Sequence, residues 1–289
     1  MKRLLLIFLV TLAFSTAPMP AAQRQPSAGS APPSQAVGKR TPQAKTHPEF
    51  NDYNAAYAIT GGAQMEKAAD EFATKYPASE LRSYLYAKAM HEYQSENNSG
   101  KMLAMGEKVL ALDADNLAAL AITASVLADN LSEGDQDRQQ KINEIKKNSS
   151  HVLQTMDTAF VPPANTTPDQ VTAYKNTLRS IAHSALGITA LKSSDDAGAE
   201  KELKIVADLS QTDPFNWYHL ALAQDHQKKY SEALASVEQA LRNIGSNSDL
   251  GRLASGERAR LMTLTGTTPF AFPPQAQPQP SPSSSRPPL

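Results

Sequence analysis

The 289-residue chain contains no cysteine. Thiol nucleophiles, thiolate metal sites, disulfides and thioester lipid anchors are therefore excluded, and an oxidising compartment is tolerated. Glycine is sparse at 13 residues, and aromatics make up 6%. Excess charge of one sign is missing too: the formal net charge is −1, so no global field directs the chain to nucleic acid or an anionic membrane. Proline is scarce only in the middle. Of 20 prolines, Pro77, Pro162, Pro163, Pro168 and Pro214 alone lie between Pro48 and Pro269. Proline breaks helix interiors, so the middle is open to long helices and the two ends are not.

Catalytic signatures are also lacking. There is no HExxH, P-loop, GxGxxG or GxSxG. The histidines, His47, His91, His151, His183, His219 and His226, show no zinc-ligand spacing. Asp195-Asp196 reads as the acidic start of a helix, and Lys146-Lys147 and Lys228-Lys229 as solvated faces. No cofactor, metal or nucleic-acid partner is expected, and the chain reads as a non-enzyme.

The one long apolar run is Leu4 to Phe14, preceded by Lys2-Arg3 and followed by small residues as far as Ala22. That order describes a secretory signal peptide over 1–22, half the length of a membrane span. An exported chain, periplasmic or secreted, with no stable membrane insertion after signal removal follows; it would carry 26 basic against 29 acidic residues. Residues 23–46 and the Pro-rich tail 268–289 have no apolar periodicity and read as disordered segments of polyproline II character. The tail fits a spacer best, with a docking ligand as the other reading.

Between them, over 47–267, apolar residues recur at helical spacing. Ile142, Ile145, Val152, Leu153 and Met156 form one stripe; Val171, Tyr174, Leu178, Ile181 and Ala185 form another, opened by a capping box of Thr167 with Gln170 and by Pro168 at the first helical position. Leu117 to Ala128 is almost entirely apolar or small and reads as a buried helix. Tyr218 to Ile244 reads as two short helices joined by a polar turn. Trp217, Leu220, Ala221, Tyr230, Ala233, Val237, Ala240 and Leu241 alternate small and large residues in an order that resembles the tetratricopeptide repeat. Gln224 and Gly245 depart from its pattern, which favours Tyr and Pro there. Weaker echoes run upstream through Leu186-Gly187, Ala190, Ala199, Leu203 and Val206, through Tyr93, Met102 and Val109, and through Ala69, Phe72 and Tyr76-Pro77. The helices of 135–157 and 168–191 are too long for a standard repeat, and 158–167 is an insertion between them.

The resemblance implies an all-α, right-handed superhelical solenoid of antiparallel helix pairs, about five of them, closed by a capping helix at Arg252–Thr263. It implies a non-catalytic scaffold or adaptor of the bacterial cell envelope, its partners other proteins, held in a concave groove lined by the first helix of each pair. Placed on that scheme, Tyr84 and His91 of the second repeat and Phe215, Tyr218, Leu222 and His226 of the last face the groove. The alternatives are a structural component of an envelope or secretion assembly, and an enzyme accessory subunit using the 158–167 insertion.

Overall fold

The computed structural model describes residues 42–162, 165–245 and 247–267. These are all helix and connecting turn: α1 (His47–Tyr57), α2 (Gly62–Lys75), α3 (Arg82–Ser95), α4 (Ser99–Leu112), α5 (Leu117–Asn130), α6 (Arg138–Ala159), α7 (Pro168–Lys192), α8 (Asp196–Leu209), α9 (Pro214–His226), α10 (Tyr230–Arg242) and α11 (Asp249–Thr265). Each helix packs on the next in sequence. The result is a run of helix pairs from α1–α2 to α9–α10, closed by α11. The expected signal peptide, the tail and residues 23–41 of the linker lie outside the described residues. The linker's last residues are described: Ala44 packs against the first core cluster, and Lys45 Nζ donates to the Ala78 carbonyl at 3.0 Å.

Helix starts are written in short polar side chains, which accept from backbone N–H groups that have no partner inside the helix. Asn98 accepts from Lys101 (3.2 Å), Asn116 from Ala119 (3.1 Å), Asp195 from Gly198 (3.0 Å) and Ser248 from Gly251 (3.0 Å). At α7 the capping box is complete: Gln170 N donates to Thr167 Oγ1 at 3.3 Å and Thr167 N to Gln170 Oε1 at 2.9 Å.

The turn inside a pair repeats. Asn97, Ser194 and Lys228 take φ of 54°, 60° and 61°. The residue after each donates its N–H to the carbonyl five back, Asn98 to Tyr93, Asp195 to Ala190 and Lys229 to Gln224, all at 2.9 Å. This left-handed closure satisfies carbonyls at a helix end and reverses the chain. In the first pair Gly61 also has a positive φ, 86°, but the N–H after it, of Gly62, donates to the Glu96 carboxylate at 2.6 Å instead of to a carbonyl five back.

Small residues then set how closely helices approach. Ala221 and Ala233, the expected contact of the last pair, are fully buried in one cluster with Val237, Ala254 and Leu261. Leu220 joins Ala199, Leu203, Ala207 and Ala223 in the cluster below, with Trp217 packed against it. A Cβ built on Gly187 stands 2.6 Å from Leu203 Cγ, so α7 and α8 touch where only glycine fits.

The middle departs from regular repeats much as its helix lengths suggested. In α5, between Leu117 and Ala128, only Ala118 and Ser125 escape burial, because α4, α6 and α7 all pack on it. No helix among the described residues is long and apolar enough to cross a membrane. The long helices α6 and α7 are held together by Val152, Met156, Leu178 and Ile181. Beyond that core, Phe160 stacks on Tyr174 at 4.8 Å and Lys175 pairs with Asp157 at 2.8 Å.

Two details differ from expectation. α6 begins at Arg138, not Asp135, because the Asp135 carboxylate is spent in the preceding turn, accepting from Ser132 N (3.0 Å) and pairing with Lys141 (3.1 Å). The capping helix starts earlier, at Asp249, and buries Leu250, Ala254, Leu261 and Met262, whereas Leu253 and Ala259 face solvent.

Candidate functional site: tyrosines on the open face of the first helices

The first two helix pairs carry six tyrosines, and their hydroxyls divide into two sets. Tyr76 donates to Asp52 (2.6 Å), Tyr86 to Asp70 (2.8 Å) and Tyr93 to Glu66 (2.5 Å). The hydroxyls of Tyr53, Tyr57 and Tyr84 bond to no described residue. The first set ties α1 to α2 and α2 to α3. The second set lies together on α1 and α3.

Helical geometry assembles this second set. Phe50, Tyr53 and Tyr57 are offset by three and seven residues, which puts them on one stripe of α1. Tyr53 meets Tyr57 at 5.5 Å between centroids and presents an edge to the core ring of Phe72 at 6.3 Å. Tyr84, in the first turn of α3, is 37% exposed, and Phe50 is 42% exposed. Desolvation raises the pKa of all three hydroxyls, and the Tyr57 and Tyr84 charges would add to that of Tyr53, so the groups share one neighbourhood. Asp113 pushes Tyr84 further in the same direction. Lys88 Nζ stands 5.6 Å from the Tyr57 ring centroid and is committed to the Ile59 carbonyl and to Glu92, both at 2.7 Å.

His91 lies further along α3. Its side chain is open to solvent, with Nδ1 3.3 Å from Gln94 Oε1. Desolvation by the surrounding protein nevertheless holds its imidazole below the ordinary value.

The four α9 residues are placed differently. Phe215, Tyr218 and Leu222 are half-buried. Tyr218 packs against the last core cluster, and its ring is 6.3 Å from that of His219. His226 is exposed, and its Nδ1 is held 2.8 Å from Asp196 Oδ1 at the start of α8. The six residues singled out from sequence therefore stand in two separate places, on α3 and on α9, and between Leu117 and Ala128 the intervening α5 offers only Ala118 and Ser125 outside the core. Phe50, Tyr53 and Tyr57 were not singled out. Their offset of three and seven on α1 was the signal that could have found them.

Two more histidines pair with carboxylates of neighbouring elements. His151 meets Asp115 at 2.9 Å, His183 meets Glu202 at 2.7 Å, and each histidine faces a single carboxylate. Among the described residues, no group of three or more His, Asp or Glu stands together as a metal site.

No protein-family model matches the chain, and no curated protein matches it in sequence. Among solved structures it is similar to a thermophilic tetratricopeptide-repeat protein of Thermus thermophilus, at 15% identity and a TM-score of 0.42, over 72% of this chain and 98% of that one.

Proposed function

We propose that the chain is an exported, non-catalytic scaffold that takes an extended segment of another protein on the aromatic face of α1 and α3. What supports this reading is the division of the tyrosines. Three hydroxyls are committed to carboxylates and stabilise helix packing, while those of the half-buried Tyr53 and Tyr57 and the 37% exposed Tyr84 bond to no described residue. Aromatic side chains gathered on one face give large contact area at low entropic cost, which is how interface anchors work. Export follows from the Lys2-Arg3 and Leu4–Phe14 pattern.

Selection of a random peptide library on residues 23–289 tests this face. Binders to the wild type that are lost on Tyr84→Ser and weakened on Tyr57→Phe support the reading. Binders indifferent to both substitutions refute it. Fusing residues 1–46 to a reporter that is active only outside the cytoplasm tests export separately.

A further inference from the structure

The turn that closes the first helix of a pair occurs once more, at the end of α11. Gly266 takes φ 65°, and the residue after it, Thr267, donates its N–H to the Met262 carbonyl five back at 3.0 Å. At Asn97, Ser194 and Lys228 the same closure sends the chain back along the helix just completed, and α4, α8 and α10 pack there. Contact positions recur with the turn. Seven residues before the left-handed residue stand Gly187 in α7, Ala221 in α9 and Ala259 in α11. Gly187 packs against Leu203 of α8, and Ala221 shares a buried cluster with Ala233 of α10. Ala259 is exposed, and so are Leu253 at 53% and Leu264 at 48%. α11 is thus built as the first helix of a further pair, and among the described residues nothing covers the face that a second element would take.

The sequence beyond the turn selects what lies there. Prolines at 269, 273, 274, 278, 280 and 282 exclude a second helix. The segment offers instead Phe270 and Phe272, the only aromatic residues beyond Thr267. Alternate residues of an extended chain point to one side, so both rings meet the same surface. Reach agrees with this. Measured back from Gly266 at about 1.5 Å per residue, Ala259 lies about 10 Å and Leu253 about 20 Å along the helix axis. An extended chain at about 3.3 Å per residue brings Phe270 back about 13 Å and Phe272 about 20 Å. Phe270 comes level with the residues just past Ala259, and Phe272 level with Leu253. The arginines of this face are held by carboxylates, Arg252 by Asp249 and Arg260 by Asp225 and Glu257. A guanidinium so held still presents a flat side on which an aromatic ring stacks. We infer that the segment 268–272 folds back along α11 of its own molecule, with Phe270 and Phe272 covering the strip from Ala259 to Leu253. This surface lies at the opposite end of the run of helices from the tyrosines of α1 and α3 and is independent of them.

Chymotrypsin cleavage of the Phe270–Ala271 bond tests this in residues 23–289, which hold every described element. Cleavage at least tenfold slower than in synthetic peptide 267–289 is expected. Ala259→Lys and Leu253→Asp change exposed positions outside the core, and each should restore most of the peptide's rate while the urea unfolding midpoint confirms a folded chain. Hydrogen exchange gives a second measurement: the double substitution Phe270→Ser with Phe272→Ser, outside the described helices, should speed exchange in the last turn of α11 several-fold. Cleavage as fast as in the peptide, or unchanged by both α11 substitutions, overturns the inference. Protection that grows with protein concentration overturns it as well, because the segment then comes from a second copy.

Discussion

Ser194 and Lys228 stand 34 residues apart and adopt the same backbone conformation, φ 60° and 61°. Each is followed by a residue whose N–H closes onto the carbonyl five positions earlier, at 2.9 Å. The repeat of the chain is thus held by backbone geometry at its turns, where the two sequences, Ser194-Asp195 and Lys228-Lys229, share nothing. Neither residue is a glycine, although left-handed backbone costs an L residue about 1–2 kcal/mol.

Replacing either residue by glycine should therefore stabilise the protein. Relief of the left-handed cost is partly offset by the greater freedom of glycine in the unfolded chain. A net gain of about 0.5–1 kcal/mol is expected for Ser194→Gly and for Lys228→Gly, read from urea unfolding midpoints. Ser194→Val should move the midpoint the other way, because a β-branched side chain tolerates this conformation worst.

Glu200 gives the fold an acid-sensitive tie. Its side chain is 7% exposed, and burial alone would raise its pKa. Hydrogen bonds from Lys204 (2.7 Å), Lys229 (2.6 Å) and Gln227 (2.9 Å) outweigh that and hold the carboxyl at about 2, against an ordinary 4.5. The folded-state value is depressed, so the stabilisation is fully present above pH 4.5 and is lost as pH falls towards 2. Glu200→Gln should cost about 2 kcal/mol at neutral pH. The difference between variant and wild type should shrink through that acid window. Thermal unfolding at about pH 7, 4 and 2.5 checks both statements, and an equal destabilisation at all three would contradict the assignment.

Much of this fold could be read locally, and the site could not. Ala221, Ala233 and Val237 announce a helix pair because small-against-large packing is settled by residues about a dozen apart. The buried helix α5 and the capping box at Thr167 are equally local. The start of α6 is not, because the Asp135 carboxylate has a choice of partners, Ser132 N and Lys141, that spacing does not rank. The tyrosines were illegible for a stronger reason. Tyr93 and Tyr57 are alike in sequence, and what separates them is whether a distant carboxylate, Glu66 for Tyr93, comes within reach. His226 shows the converse: its position on the α9 stripe pointed to a groove, and Asp196, 30 residues earlier, holds its ring in place.

Gly187 tests how tight the helix contacts are. Alanine there must displace Leu203, whose Cγ lies 2.6 Å from the new Cβ. Overpacking of this kind costs about 1–3 kcal/mol. Gly256, in the interior of α11, has nothing within 4 Å of its Cβ position. Gly256→Ala should instead stabilise by about 0.5–1 kcal/mol through helix propensity. Opposite signs for two Gly→Ala changes in helices, measured by the same denaturation experiment, would locate the difference in packing and not in backbone entropy.

The two tyrosine sets predict opposite phenotypes for the same substitution. Tyr93 is 3% exposed, and its hydroxyl donates to the Glu66 carboxylate at 2.5 Å. A buried bond to a charged acceptor contributes about 1.5–3 kcal/mol. Its loss also leaves Glu66 to Lys101 alone among its close partners, at 2.9 Å. Tyr93→Phe should lower stability by that amount. It should also raise the Glu66 pKa, because burial already pushes that carboxyl up and the Tyr93 bond is the largest influence opposing it. The Tyr57 hydroxyl makes no bond to a described residue, so Tyr57→Phe should leave the unfolding midpoint within about 0.5 kcal/mol of wild type. If the aromatic face of α1 and α3 binds extended chain, the same change should weaken peptide affinity several-fold by removing a donor. Denaturation and peptide titration on the two variants separate a tyrosine that holds the fold from one that holds a ligand. A stability loss at Tyr57→Phe equal to that at Tyr93→Phe would abolish the distinction.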